Sequence, residues 1–438
     1  MANAKKMSVL QLTTVTAINM MGSGIILLPS KLAEIGTISI FAWILASLGA
    51  TILAYAFAKC GMYNKKGGGL GGYAEYGFGK LGNFLANFTY TISLIIANIA
   101  ISIGVVSYAS YVFGWNLSPV GSCLTTIVVL ILSASISFLG SKGTGRFGSI
   151  GVICVMIPII GLLLFGFTSF SMDTYIQAWN PKGLPFIVTL KDSIAIILWS
   201  FLGLETACAN SSAVENPEKN VPIAVLSGTL LAGIMYTLST AIIGGIVPYT
   251  ELIGANAPFG LAYAAMMGNA AGHIVSCMLV VSCFVSLTAW QFTIAEVVRN
   301  SASLGHFPHY LQKVTSRGAP YMSIFTVLII QLVLSLMTIS PTLINQFNIL
   351  INLAVTINLI PYVLSMASVP AMQRIEDIEK SKRGLTNFSA FIGAVYSIYA
   401  IYGCGWSIIG DGVIVAIIGI IIFYIKKRFH NNVKISHV

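Results

Sequence analysis

Charged side chains are scarce in this chain. Asp, Glu, Lys and Arg together make up only 8% of its 438 residues, whereas an ordinary soluble domain contains about 25%. Hydrophobic residues account for 56% of the sequence, and the mean hydropathy is +0.88. A soluble domain of this length could not bury so many apolar side chains. The composition therefore excludes a soluble globular protein and predicts a polytopic membrane protein.

The sequence also lacks the spacing of a metal or nucleotide site. Its seven cysteines fall within or at the ends of apolar runs, where cysteine usually behaves as a small hydrophobic residue. The glycine-rich segment 60–80 contains lysines, but none is placed as in a nucleotide-binding loop. We interpret that segment as a cytoplasmic gate or a re-entrant segment. We expect no disulfide framework, no metal and no cofactor.

Long apolar runs are abundant, and a helix needs about 20 such residues to cross a bilayer. We predict twelve transmembrane helices, the first of them retained rather than removed as a signal peptide. The predicted spans lie near residues 10–33, 38–60, 84–112, 121–141, 149–169, 187–210, 222–248, 270–299, 321–340, 345–369, 387–405 and 411–426.

Basic residues are distributed unevenly between the two sides of these spans. With the N-terminus placed inside, all of the 23 Lys and Arg residues fall on that side except Lys31, Lys182 and Lys191. Short cytoplasmic loops retain Lys and Arg, so both termini are predicted to be cytoplasmic. The asymmetry also accounts for the net charge of +10 without a nucleic-acid partner.

Twelve spans without a large soluble domain are compatible with a transporter, a channel or a membrane-embedded enzyme. No nucleophile–base pair or metal cluster is visible, so we do not expect an enzyme. No ATP-binding motif is present either, and a transporter of this kind would depend on a solute gradient.

Glycines interrupt the first predicted span. In "NMMGSGIILLP", Gly22 and Gly24 flank Ser23, and glycine is unfavourable in a helix interior. The same pattern also serves close helix packing, and the motif alone does not separate the two interpretations. The sixth span has a comparable disturbance at residues 199–205, "WSFLGLE". Paired interruptions in two halves of a chain indicate a transporter site near the bilayer midplane.

One acidic residue, Glu205, lies deep in a span, within the mostly apolar stretch 194–209. A charged group at such a depth is costly unless it is paired, and no Lys, Arg or His lies equally deep in another span. Three interpretations remain open. Glu205 could be a protonated structural group, a proton relay, or the counter-ion of a cationic cargo.

Two tryptophans lie in the sixth and eighth predicted spans. Trp199 precedes Glu205 by six positions, and Trp290 lies in the middle of the eighth span. Aromatic faces attract cations by roughly 0.5–2 kcal/mol each, although ordinary packing explains a single tryptophan equally well.

Polar residues on the third and tenth spans are further candidates. Tyr90 and Asn98 share one helical face with Leu94 and could face a substrate pathway or a neighbouring helix. Thr356 and Asn358 are weaker candidates of the same kind.

Several long blocks of sequence, taken together and in order, resemble a known family. They lie between Met7 and about Tyr399, and they read "NMMGSGIILLPSKLAEIGTISI", "AFAKCGM", "GGYAEYGFGK", "FLGLETACAN", "VENPEKNVPIAVL", "APFGLA", "WQFTIA" and "LMTISP". The chain is similar to the amino acid–polyamine–organocation superfamily, and within it to the putrescine–ornithine antiporters of the basic amino acid/polyamine branch.

The resemblance implies an all-α fold of twelve transmembrane helices, in which helices 1 and 6 are broken. Residues 1–169 and 187–369 would form two inverted five-helix repeats of the LeuT-like kind. Residues 387–426 would add two helices, and residues 427–438 would be a cytoplasmic tail. Homodimers occur among such proteins, and the expected location is the bacterial inner membrane.

The resemblance also implies exchange of putrescine for ornithine. A proton on Glu205 could take the place of the cargo, which would give putrescine–proton symport as a second mode. The alternatives are a cadaverine–lysine or other diamine–amino acid antiporter and a proton-coupled amino acid uptake carrier. The implied substrate-binding residues are Ser23, Gly24 and Ile25 through backbone N–H groups, Tyr90, Trp199 and Trp290 through their rings, Asn98, Glu205, which could also couple protons, and Cys60. Tyr424 lies in a poorly matched segment, and its role is open.

Overall fold

A computed structural model describes residues 8–21, 23–205, 216–337, 339 and 342–435. Within these residues the regular structure is entirely helical. The α-helices are α1 (Val9–Met20), α2 (Ser23–Leu32), α3 (Ile40–Tyr63), α4 (Gly69–Phe113), α5 (Pro119–Ser137), α6 (Gly140–Phe165), α7 (Met172–Gln177), α8 (Phe186–Leu198), α9 (Pro217–Ile246), α10 (Tyr249–Leu252), α11 (Pro258–Met267), α12 (Asn269–Ser303), α13 (Tyr321–Met337), α14 (Leu343–Ile375), α15 (Lys380–Gly403) and α16 (Trp406–Ile435).

Nine helices in the described part of the chain are long and apolar enough to cross a membrane. They confirm the prediction of an all-α protein with many membrane spans. The other three predicted spans fall on α1 with α2, on α8 and on α13, which are shorter elements. The count of twelve therefore stays a prediction. The nine helices contain the segments 37–63, 69–113, 119–137, 148–168, 219–246, 269–303, 343–375, 380–403 and 406–428.

The helices differ in how deeply they are buried in the protein. The most apolar part of α4 is 94% buried, whereas that of α16 is only 11% buried. α4 packs along α14, and Ser93 of α4 donates its hydroxyl to the carbonyl of Ala354 on α14 at 2.8 Å. α4 and α14 therefore form the centre of the molecule. The exposed faces of the outer helices are rich in Ile, Leu, Val and Phe, as expected of surfaces that meet lipid.

Gly79 divides α4 into two helical pieces. Its φ of 63° and ψ of −156° lie in a region that only glycine adopts without strain. The shorter piece begins at Gly69, so part of the glycine-rich segment 60–80 is helical rather than a loop. Its proposed role as a gate or re-entrant segment stays a prediction.

The first and sixth predicted spans each contain a change in backbone structure. α1 ends at Met20 and α2 begins at Ser23, while Gly22 lies outside the described residues. α8 ends at Leu198 and continues as a 3₁₀ turn over Trp199–Phe201. The backbone then becomes extended at Leu202, and Gly203 has a φ of 104°. Residues 206–210 of the predicted sixth span lie outside the described part of the chain.

Candidate substrate-binding site

A cavity lies where α2, α4, α12 and the 3₁₀ turn after α8 meet. It contains about 450 Å³ of space not occupied by protein atoms, part of which is open to the outside. Gly24, Asn98, Trp199 and Trp290 all contribute to its wall. The cavity therefore brings together four of the nine residues that the sequence assigned to substrate binding. Its lining residues are Met20, Gly24, Leu94, Ala97, Asn98, Ile101, Trp199, Leu202, Ser286 and Trp290.

A second cavity of similar size, about 440 Å³, lies between α2, α3 and α9. Its wall includes Thr37, Trp43, Tyr175 and Thr240, and it contains none of the predicted site residues. We take the cavity at Trp199 and Trp290 as the candidate site, because four of the predicted site residues line it and none of them lines the second cavity.

Gly24 allows the start of α2 to lie directly against the 3₁₀ turn. A Cβ atom at this position would lie 2.9 Å from the Cα of Ser200 and 3.5 Å from Cδ1 of Trp199. Because a backbone atom is the nearest neighbour, a larger residue would push the two segments apart. The glycine motif was interpreted either as a helix interruption or as a close packing contact. Gly24 has both features, since it lies in the first turn of α2 and packs closely against Ser200. Ser23 begins α2, but its side chain lies outside the described residues.

The two tryptophans present large aromatic surfaces to the cavity. Trp199 is buried and its ring packs edge-on against Phe347, with centroids 6.3 Å apart and an interplanar angle of 87°. Trp290 is half-buried and packs against the apolar core. Two indole rings in one wall suit the binding of an alkyl chain that carries a cation, because the ring face attracts positive charge.

The side-chain amide of Asn98 is hydrogen-bonded to a second side-chain amide, that of Gln291. Its Nδ2 donates to Oε1 of Gln291 on α12 at 2.7 Å, and Nε2 of Gln331 on α13 donates to the same oxygen at 3.0 Å. Within the described part of the chain, Oδ1 of Asn98 has no hydrogen-bond partner. Asn98, a residue of the cavity wall, therefore carries a buried acceptor atom without a partner.

Glu205 is buried and its carboxylate accepts three hydrogen bonds. Tyr90 on α4 donates its hydroxyl to Oε1 at 2.7 Å, and Tyr362 on α14 donates its hydroxyl to Oε2. The backbone N–H of Gly203 also donates to Oε2, at 3.1 Å. Only 6% of the Glu205 surface is exposed. Among the described residues, no Lys, Arg or His forms an ion pair with it.

Glu205 and Tyr90 lie next to the cavity rather than in its wall. Tyr90 precedes Leu94, a lining residue, by one turn of α4 in the direction of Gly69. Glu205 follows Leu202, another lining residue, at the end of a short turn. The pair of Tyr90 and Glu205, together with Tyr362, therefore forms a polar layer just beyond the end of the cavity.

The side chains of the remaining predicted residues do not line the cavity. Ile25 and Cys60 are both fully buried among apolar side chains, Cys60 near the last turn of α3. Tyr424 lies on α16 with 54% of its surface exposed. Thr356 and Asn358 are buried in α14, and Asn358 accepts a hydrogen bond from Ser93 at 3.3 Å. The roles suggested for Ile25 and Cys60 stay predictions.

Three residues of the site were not singled out from the sequence. Tyr362 follows Pro361 in an apolar stretch of α14, and a tyrosine there is usually an ordinary core residue. Gln291 immediately follows Trp290, and Gln331 lies in the otherwise apolar α13. The available signal was the polarity of these three side chains at positions surrounded by hydrophobic residues.

A charged cluster lies where the N-terminal part of α4 meets the C-terminal end of α14. Lys65 Nζ lies 2.8 Å from Oε2 of Glu376, and Tyr76 donates its hydroxyl to Oε1 at 2.5 Å. The hydrogen bonds from Lys65 and Tyr76 lower the pKa of the Glu376 carboxyl below its ordinary value. This cluster connects the segment after α3 with the end of α14. Within the described residues, no group of three or more His, Cys, Asp or Glu side chains could hold a metal ion.

Comparison with known proteins places the chain in a family. A model of the family described as amino acid permease matches residues 7–423. The putrescine transporter PotE of Haemophilus influenzae is 51% identical over 418 residues, which are 95% of this chain and 96% of the relative. PotE of Escherichia coli strain K12 is also 51% identical over 418 residues, 95% of each chain. The cadaverine/lysine antiporter of Escherichia coli strain K12 is 31% identical over 439 residues, 98% of this chain and 96% of the relative.

These relatives are named as transporters, and they confirm the prediction of a transport protein rather than an enzyme. The match also extends over nearly the whole chain and includes every element of the cavity. The chain is therefore a multi-pass membrane protein that belongs to the amino acid permease family.

Proposed function

We propose that this protein is a secondary transporter that exchanges putrescine for ornithine across the bacterial inner membrane by alternating access. The observation that carries the proposal is a buried carboxylate, Glu205, which has hydroxyl and N–H donors but no ion-pair partner among the described residues. It lies beside a cavity walled by two tryptophans. The relatives that are 51% identical are putrescine transporters, and the proposed cargo follows from both facts.

Putrescine and ornithine share an alkyl chain that ends in an ammonium group. In the proposed complex this ammonium is drawn to Glu205, while Trp199 and Trp290 cover the alkyl chain. The α-carboxylate of ornithine is bound by the backbone N–H groups of Ser23, Gly24 and Ile25. These groups lie in the first turn of α2, where N–H groups have no partner within the helix.

Along α4, the layer formed by Tyr90, Glu205 and Tyr362 lies on the Gly69 side of the cavity-lining residues 94–101. We infer that this layer must rearrange for cargo to pass, since both oxygens of the carboxylate are already occupied by hydroxyl donors. An ammonium group that reaches Glu205 would compete with these hydroxyls or join them. Opening of this layer would be one half of the alternating-access cycle.

Obligatory exchange follows from the cost of moving an unpaired buried charge. A carrier without cargo would have to rearrange around an ionised Glu205 that lacks a counter-ion, and charge in an apolar environment is costly. Return without cargo would therefore be slow. A proton on Glu205 could replace the cargo, and this would give putrescine–proton symport as a second mode.

The membrane arrangement is part of the proposal. Twelve spans arise if α1 with α2, α8 with the segment that follows it, and α13 also cross the bilayer. The two backbone changes, at Ser23 and at Trp199, are then the breaks of helices 1 and 6. Residues 1–169 and 187–369 form the two inverted repeats, both termini are cytoplasmic, and the protein forms a homodimer.

A second candidate is exchange of cadaverine for lysine. The cadaverine/lysine antiporter is 31% identical to this chain, against 51% for the putrescine transporters, so putrescine is favoured. The two diamines differ by one methylene, which a fitted pocket distinguishes by about 1–3 kcal/mol.

The test is efflux of radiolabelled putrescine from proteoliposomes that contain the purified protein. Efflux should require external putrescine or ornithine and should be slow in buffer alone. A pH gradient tests the proton mode, and external lysine and arginine test the alternative cargoes. Rapid efflux into buffer without any gradient would indicate a channel and would contradict the proposal.

A further inference from the structure

Three buried amide side chains form a continuous chain that leads away from the cavity. Asn98 lines the cavity on α4, Gln291 lies behind it on α12, and Gln331 lies farther away on α13. Oε1 of Gln291 accepts from Nδ2 of Asn98 at 2.7 Å and from Nε2 of Gln331 at 3.0 Å. Neither glutamine lines the cavity, and both are fully buried.

This hydrogen bonding decides which end of the Asn98 amide is left without a partner. Nδ2 of Asn98 is used by Gln291, so the acceptor Oδ1 is the amide end that remains. Within the described part of the chain, Oδ1 of Asn98, Nε2 of Gln291 and Oε1 of Gln331 have no hydrogen-bond partner. A buried polar atom without a partner is unfavourable. Each amide in the chain therefore has one end used and one end unused.

We propose that Gln291 and Gln331 are positioning residues that set the hydrogen-bonding character of Asn98 and thereby the preference between amine and carboxylate groups of the cargo. The inference rests on the proposed function, since it takes the cargo to be an amine and an amino acid. It adds a residue on α13, Gln331, that does not touch the cavity.

The chemistry of the amide group allows two consistent arrangements of the chain. In the observed one, Gln291 accepts from both neighbours and leaves Asn98 Oδ1 for the cargo. If all three amides turn by 180°, Gln291 Nε2 donates to the oxygens of both neighbours. Nδ2 is then the end of the Asn98 amide that has no partner within the chain of amides. An amide NH₂ group has two donors and an amide oxygen has two lone pairs, so both arrangements satisfy the contacts.

The two arrangements favour different cargo groups. An ammonium group only donates hydrogen bonds, so it requires the Oδ1 arrangement. A carboxylate only accepts, so it requires Nδ2. Putrescine carries ammonium groups alone, whereas ornithine carries both kinds of group and can use either arrangement. The orientation of Gln331 is coupled to that of Asn98 through Gln291. As long as Gln331 donates to the oxygen of Gln291, Asn98 must donate to that oxygen too, and Oδ1 is the end of Asn98 without a partner.

A purely structural role for the amide chain makes a different prediction. Buried amides also join helices in membranes through hydrogen bonds, and their loss then affects folding or transport of every cargo alike. A change in the ratio of the two affinities separates the positioning role from the structural one.

The experiment compares Gln331→Met with wild type in proteoliposomes. Half-saturation constants are measured for putrescine and for ornithine as external counter-substrates. We expect the putrescine constant to rise about three- to tenfold, the effect of losing one ordinary hydrogen bond. We expect the ornithine constant and the maximal rate to change less than about twofold. The matched control is Gln373→Met, which alters an equally buried glutamine outside the cavity and the amide chain.

A double variant tests whether the two glutamines act as one unit. Gln291→Met should reproduce the effect of Gln331→Met, and combining the two should add little, because contacting residues of one network are not additive. If Gln331→Met is not obtained as folded protein, Gln331→Asn takes its place, since its shorter amide cannot reach Gln291 in the same way.

The outcomes separate this inference from the proposed function. Equal changes for both cargoes, no change, or fully additive effects of the two glutamine variants would overturn the positioning role. Failure of wild-type protein to exchange putrescine for ornithine would contradict the proposed function instead. The affinity ratio would then be measured with the amine and amino acid that the protein does exchange.

Discussion

The phenolic oxygen of Tyr90 lies 2.7 Å from Oε1 of Glu205, although 115 positions separate the two residues in the sequence. Tyr362 contacts the other oxygen of the same carboxylate from α14. A single acidic side chain thus connects the two central helices, α4 and α14, to the segment that follows α8. Any movement of that segment must break or rearrange these contacts.

The first prediction concerns the hydroxyl groups on Glu205. Tyr362→Phe removes one donor to a buried carboxylate, and hydrogen bonds to charged groups contribute about 1.5–3 kcal/mol. We expect a lower midpoint of thermal unfolding in detergent for the cargo-free protein. Tyr236→Phe is the matched control, because the Tyr236 hydroxyl is equally buried and has no partner in the described part of the chain. Equal destabilisation by both substitutions would contradict the account.

The second prediction concerns the contact between α2 and the 3₁₀ turn. Gly24→Ala places a Cβ atom 2.9 Å from the Cα of Ser200, so the cavity wall must shift. We expect putrescine exchange in proteoliposomes to fall at least about tenfold, since small misplacements at a binding site are costly. The control is Gly148→Ala on α6, where an added Cβ atom meets nothing within 4 Å. Similar exchange rates for the two variants would show that the close contact is unimportant.

The third prediction separates ring attraction from shape at Trp199. Trp199→Phe keeps an aromatic face toward the cavity, whereas Trp199→Leu keeps only apolar volume. An aromatic face attracts a cation by roughly 0.5–2 kcal/mol, so the half-saturation constant for putrescine should rise more for leucine than for phenylalanine. Transport assays at several putrescine concentrations measure both constants. Equal increases would favour shape over cation–π attraction.

The fourth prediction concerns the pH dependence of the contact between Lys65 and Glu376. The pKa of Glu376 is lowered by hydrogen bonds from Lys65 and Tyr76, so the folded state favours the ionised carboxylate. Its contribution to stability is present at neutral pH and is lost as the pH falls through the lowered pKa. The difference in thermal stability between wild type and Lys65→Met should therefore persist at neutral pH and disappear in strong acid.

The control for this prediction is Lys382→Met. Lys382 pairs with Glu379 at 3.6 Å, and both side chains are largely exposed, so the pair should contribute little. A stability difference for Lys65→Met that grows as the pH falls would contradict the assignment.

Sequence reasoning identified those site residues that differ clearly from their immediate neighbours in the chain. Gly24 interrupts an apolar run, Trp290 lies at midspan and Glu205 is an isolated charge, and each of these signals can be read within a few neighbouring positions. The structure places Gly24 and Trp290 in one cavity and Glu205 beside it. The all-helical fold with many spans followed from composition and from the length of the apolar runs.

The partners of these residues could not be predicted in the same way. Tyr362 contacts Glu205 only because α14 packs along α4, and that packing joins segments far apart in the sequence. Gln331 likewise contacts Gln291 through the packing of α13 against α12. A tyrosine or glutamine in an apolar helix does not reveal which helix it faces, so the polar layer and the amide chain emerged only from the three-dimensional arrangement.

The most direct test of the central claim is putrescine exchange by Glu205→Gln in proteoliposomes. The substitution keeps the size of the side chain and removes its charge, and Glu379→Gln on the exposed surface serves as the control. If Glu205 balances the charge of the cargo, Glu205→Gln abolishes exchange while the protein remains folded, and Glu379→Gln exchanges normally. Exchange by Glu205→Gln at a near wild-type rate would contradict the account.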